Sequence, residues 1–129
     1  MDYGDMTIQD EAVVLPKNDV GHFTRDTSLA SGTQAVTGIG FRPSSILFHA
    51  RQTGDEVSWG FGHSSSDREI HLDVGAAISG STNRSIFLTD GANSYQGDIL
   101  SLDADGFTVS WTKSNSPTGT ATINFMAFK

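Results

Sequence analysis

From Val20 to the C-terminus the chain meets a turn signal every eight to twelve residues: "ASG" at 30–32, "RP" at 42–43, "QTGD" at 52–55, "HSSSD" at 63–67, "SGSTN" at 79–83, "TDGANS" at 89–94, "DADG" at 103–106 and "SNSPTG" at 114–119. Gly, Pro, Asn and Asp at that spacing stop a helix before it gains length, so the segments between them are short strands. Their apolar residues alternate. In "GFTVSWT" Phe107, Val109 and Trp111 share one face and Thr108, Ser110 and Thr112 the other. That is the pattern of an antiparallel strand with one dry and one wet side.

By the same rule Ile70, Leu72 and Val74 oppose Glu69, His71 and Asp73, and further apolar faces come from Val57, Trp59, Phe61; from Ile86, Leu88; from Leu100, Leu102; and from Ile123, Phe125, Ala127. Trp59 and Trp111, each on the apolar face of its strand, are expected in the core. The expected strands number eight or nine, at about 20–25, 33–38, 44–51, 56–62, 68–74, 84–89, 96–102, 106–112 and 119–128. No stretch has a helical period. An all-β fold follows, an antiparallel β-sandwich or jelly roll.

The boundary of that domain is set by a change in pattern. Residues 1–19 carry five acids and one base with no sustained period, the signature of an extended N-terminal arm, and residues 20–129 form the sandwich. Tyr3, Met6, Ile8, Val13, Val14 and Leu15 give the arm more apolar material than a solvated linker needs, so it is expected to dock on a partner with basic surface.

The stretch "GTQAVTGIGFRPSSILFHARQ", residues 32–52, is a corner feeding a core strand. Gly38 and Gly40 supply backbone freedom, Pro43 fixes φ, and Ile46, Phe48 and Ala50 then oppose Leu47 and His49. Leu47 makes this strand apolar on both sides, and "INFMAF" repeats the pattern with Met126 and Phe128. A second covered face calls for another subunit, and a homotrimer is expected.

Charge and composition exclude several classes. The 129 residues fit one domain, and a net charge of −7 repels phosphate backbones and anionic membranes, so neither nucleic acid nor membrane is an expected partner. With no cysteine, disulfides, thiolate metal sites and thiol nucleophiles are unavailable. The acidic opening "MDYGDMTIQDEAVVLP" lacks the basic region of a secretory signal, so synthesis in a cytoplasm is expected.

Specific chemistry finds little support. Glu69, His71 and Asp73 lie at intervals of ~7 Å on one strand, too far apart to close on one ion without a ligand from elsewhere, and are expected as a wet face. "DADG" opens like a calcium loop, but the twelfth residue from Asp103 is Ser114 where a Glu is needed, leaving Asp103 and Gly106 as turn residues. Ser64–Ser66 between His63 and Asp67 lacks a nucleophile elbow. Gly38-Ile39-Gly40 has no helix behind it to cradle a phosphate. Neither enzyme activity nor any cofactor or metal is expected. Tyr95, in "DGANSYQGD", is the best candidate for an exposed ring that stacks on a sugar.

Taken in order, "GTQAVTGIGFRPSSILFHA", "VSWGFG", "DADGFTVSWT" and the terminal "ATINFMAFK" resemble the recurring β-sandwich domain of tailed-phage virion proteins, in which a "TG-x-GF-x-P" corner precedes a core strand. The likeness spans about residues 31 to 129, and more distantly it extends to small lectin sandwiches. It implies a structural or adhesion module with no catalytic site. Two roles follow from it. A short acidic arm on a self-contained sandwich suits a capsid decoration (cement) protein that binds the major capsid protein on the capsid exterior and stabilises the assembled head. The expected contact residues are Tyr3, Met6, Ile8, Val13, Val14, Leu15, Leu47 and His49. The alternative is a tail-fibre or baseplate module that binds a receptor or glycan through Tyr95, Asn93 and their loop.

Overall fold

The computed structural model describes residues 17–53, 56–63, 66–72 and 78–129. They form ten strands and no helix: β1 (Asn18–Asp26), β2 (Gly32–Thr37), β3 (Ser45–Gln52), β4 (Val57–His63), β5 (Ser66–Leu72), β6 (Ile78–Ser81), β7 (Ile86–Asp90), β8 (Asn93–Asp103), β9 (Gly106–Ser114) and β10 (Thr120–Phe128). The strand beyond the expected nine is β6, whose "ISGS" carries one apolar residue and no alternation to mark it. β1 starts at Asn18, two residues before the expected domain boundary, and residues 1–16 of the arm lie outside the described residues.

Two antiparallel sheets make the sandwich. One has six strands in the order β1-β10-β3-β4-β5-β6 and the other four in the order β2-β9-β8-β7. β3 to β6 and β7 to β9 each run as a meander within one sheet, so of the two expected layouts this is the sandwich and not the sheet-to-sheet alternation of a jelly roll.

Between the sheets, Ile46, Phe48, Ile86, Leu88, Phe107, Val109, Trp111, Ile123 and Ala127 are buried where alternation puts them. Phe107 meets Phe48 and Phe125 edge-on, with ring centroids 5.7 and 5.3 Å away. Leu100 departs from its expected face. The register of β8 against β9 slips between Ile99 and Ser101, and this bulge turns Leu100 out to solvent.

The corner before β3 has a specific lock. Gly38 and Gly40 adopt φ of 89° and 88°, the left-handed region expected of them, which aims successive amides at one acceptor group. Gly38 N donates to Asp105 Oδ2 at 3.0 Å, Gly40 N to Asp105 Oδ1 at 2.7 Å, and Ile39 N to the Asp105 carbonyl at 3.2 Å. The concavity that would hold a foreign anion is thus filled by the "DADG" turn. Asp103 of the same turn accepts from Thr108 Oγ1 and Ser101 Oγ, and these bonds hold its carboxyl below the usual range.

The other half of the interior is polar. Glu69 and His71, expected on a wet face, are buried, while Ile70 points to solvent. Asp73 lies outside the described residues. Glu69 accepts from Arg84 Nε at 2.8 Å through Oε1 and lies 3.0 Å from His71 Nδ1 through Oε2. The Arg84 guanidinium sits 3.6 Å from the Phe87 ring centroid. Beside this cluster, burial pushes the Asp67 and Asp98 carboxyls up, and Asp67 raises Asp98 further.

A pH prediction follows. Asp98 binds protons more readily folded than at its ordinary value of 3.8, so its contribution is fully present below that pH and is lost as pH rises through the higher folded value. Asp98→Asn should therefore melt above wild type at pH 7, with the gap closing as pH falls through the carboxylate range. A gap unchanged between pH 7 and pH 4 would contradict this origin.

Candidate interaction surface

The reason for the inverted face of β5 lies in β4. In "VSWGFGH" small residues alternate with large ones, and the structure turns the small ones inward: Ser58 and Gly62 are buried while Trp59 and Phe61 face out. A Cβ at Gly60 would stand 1.9 Å from the Ser85 carbonyl oxygen, so the sheets approach here almost backbone to backbone. An aromatic row fits only on the other side. Trp59 is therefore not a core residue, as alternation alone predicts, but 42% exposed. β5 follows its neighbour, because Trp59 pairs with Ile70 and Ser58 with His71, and paired residues share a face.

The result is an outer sheet face organised in three cross-strand rows. Val20, Met126, Leu47, Phe61 and Arg68 stand opposite one another from β1 to β5. The next row is His22, Asn124, His49, Trp59 and Ile70, and the third runs through Arg51, Val57, Leu72 and Ile78. Leu47 is 48% exposed, Ile70 51% and Val20 62%. His49 stacks on Trp59 with rings 11° from parallel and centroids 5.5 Å apart.

Four strand intervals by two row intervals give an area of about 19 by 14 Å, the scale of the few-hundred-Å² patches that mark binding surfaces. With histidine neutral, as it is in the chain's net −7, Arg51 and Arg68 against Asp26 leave this face one positive charge, opposite in sign to the chain. Arg51, Arg68, His22, His49 and His63 face outward, and Asp26, at the far end of edge strand β1, is the one acid among the described outward-facing strand residues of this sheet.

At the corner where β4 ends, a cleft of about 410 Å³ is lined by Arg42, Pro43, Ser44, His63, Leu100 and Leu102. The Arg42 guanidinium is already engaged there with the Leu102 carbonyl. Among the described residues no three His, Cys, Asp or Glu side chains group as metal ligands.

No family model, curated protein or solved structure matches this chain.

Of the contact residues expected from sequence, Leu47 and His49 lie on this outer face, and Tyr3, Met6, Ile8, Val13, Val14 and Leu15 are outside the described residues. Tyr95 is a correction. It is 0% exposed, stacks on Trp111 at 5.2 Å, accepts from Arg25 Nε at 2.9 Å and donates to the Leu29 carbonyl at 3.3 Å. What reads as a loop is the tight turn at Gly91 and the start of β8, which carries Tyr95 inward. Its ring is not available to a sugar.

Ser64 and Ser65 lie outside the described residues, and Asp67 accepts from the buried Ser85 Oγ at 3.0 Å. Trp59, Phe61 and Ile70 are the large exposed residues of β4 and β5 that alternation misassigns. The signal that would have found them is the glycine at every second position, since glycine inside a strand marks a close backbone approach.

Proposed function

We propose that this chain is a structural protein of a tailed-phage virion, specifically a capsid decoration protein that binds the assembled head through the outer face of its six-stranded sheet. The observation that carries a docking role is that face. A chain with seven excess negative charges keeps one rigid surface that is apolar and cationic, and that surface consists of regular strand, pre-ordered for contact. The order of the "TG-x-GF-x-P" corner, "DADGFTVSWT" and "ATINFMAFK" supports a virion as the setting. A role without catalysis and self-association as a trimer belong to the same reading.

The test is stoichiometry in purified particles. Hundreds of copies per particle support the head, whereas a few copies move the protein to the tail, where the exposed Trp59 ring becomes the stacking platform for a receptor sugar. Absence from particles sinks the virion reading altogether.

A variant sharpens the contact. Leu47→Ser with Phe61→Ser removes two outward side chains and should change unfolding free energy by less than about 1 kcal/mol, while occupancy on particles drops. Full occupancy by a folded double variant would remove the sheet face from the contact.

A further inference from the structure

The sequence of residues 1–16 calls for a basic and apolar surface, and the outer sheet face supplies one on the chain itself. "MDYGDMTIQDEAVVLP" holds Asp2, Asp5, Asp10 and Glu11 with no Lys or Arg, interspersed with Tyr3, Met6, Ile8, Val13, Val14 and Leu15. Opposite them in chemistry stand Arg51 and Arg68, the three outward histidines, and the apolar rows from Val20 to Ile70.

We propose that residues 1–16 fold back in cis over the outer face of the six-stranded sheet and cover the rows containing Leu47, Trp59 and Ile70. The described chain starts beside that face. The Lys17 carbonyl accepts from Lys129 N, and Asn18 pairs with Phe128, two residues along the strands from the row of Val20, Met126, Leu47 and Phe61.

From Lys17 to Ile70 is four strand intervals and five residue steps, roughly 26 Å, whereas sixteen extended residues reach about 53 Å. Reach is ample, and a tether of that length keeps the segment at millimolar effective concentration over its own sheet, which favours the same chain over a neighbour's. Acids beside guanidinium groups fix orientation, and apolar side chains meeting Trp59, Leu47 and Ile70 supply the burial. The inference stands without the virion assignment, and under that assignment the segment has to leave these rows before the face can meet the head.

The absence of cysteine makes a clean test possible. A nitroxide attached at Thr7→Cys in the full chain, with ¹⁵N-labelled protein, should abolish the amide cross-peaks of Leu47, Trp59 and Ile70 and leave those of Thr108, Ser110 and Thr112 on the opposite sheet intact. Reduction of the nitroxide should restore them, and raised salt should weaken the loss. A mixture of spin-labelled ¹⁴N chains with unlabelled ¹⁵N chains should show no loss.

Unbroadened outer-face amides, or equal broadening on both sheets, would overturn the proposal. Loss in the mixture would overturn it too, by assigning the segment to a second copy. As an independent readout, replacing Asp2, Asp5, Asp10 and Glu11 by their amides in the full chain should increase acrylamide quenching of Trp59, with buried Trp111 as the internal control. Unchanged quenching at low salt counts against coverage.

Discussion

Trp111→Ala should cost about 3–5 kcal/mol of unfolding free energy, a large share of the ~5–15 kcal/mol of a domain this size. The indole is 1% exposed and stacked on Tyr95, and its Nε1 donates to Gln34 Oε1 at 3.0 Å. Opposite it the chain has made room: a Cβ at Gly97 would come within 2.8 Å of the ring. Truncation empties the largest buried side chain of the interior, and Tyr95 cannot collapse into the gap while Arg25 and the Leu29 carbonyl hold its hydroxyl. Urea unfolding should show a lower midpoint at unchanged slope. A loss below ~1 kcal/mol would mean that β9 presents its other face to the core.

Arg84→Ala is the second large effect, expected at about 3 kcal/mol, the lower end of what removing one partner of a buried ion pair costs. Glu69 has a fully buried side chain, and Arg84 is the fixed cation bonded to it. His71 stays at 3.0 Å, which keeps the loss from the upper end of the range.

The informative comparison is Arg84→Met combined with Glu69→Leu. Replacing both members with apolar residues of similar volume should recover most of the stability, because the penalty is that of an uncompensated buried carboxylate and not of a missing attraction. A double variant as unstable as Arg84→Ala would show that the packing of Arg84 on Phe87 matters more than charge. An Arg84→Ala change within ~0.5 kcal/mol of wild type would place Glu69 in water.

These two residues mark the boundary between what alternation reveals and what it hides. For β9 and β10 the two-residue period identifies the buried face without error, because both strands are central in their sheets and pack against bulky neighbours. For β4 and β5 the same period is present and the assignment is inverted. Periodicity states that two faces differ. It does not state which one is inside, and hydrophobicity decides that only where the facing sheet leaves room for large side chains.

At Gly60 it does not. The Ser85 backbone stands where a Cβ would be, so Trp59, Phe61 and Ile70 are forced outward and Glu69 and His71 inward, where Arg84 compensates the carboxylate. The candidate surface was accordingly legible only at Leu47, His49 and Met126, on strands whose inner face is unambiguous.

By itself the sequence determined an all-β chain of short antiparallel strands, the corner at Gly38 and Gly40, and the core positions of Phe48, Phe107, Trp111 and Phe125, since local turn chemistry and a two-residue period specify these without reference to distant residues. The tertiary structure alone decided how close the sheets lie at each point. That distance, fixed by backbone groups 25 residues apart at Gly60 and Ser85, determines which face of β4 and β5 is buried, and so places an apolar, cationic surface on the outside of an acidic protein.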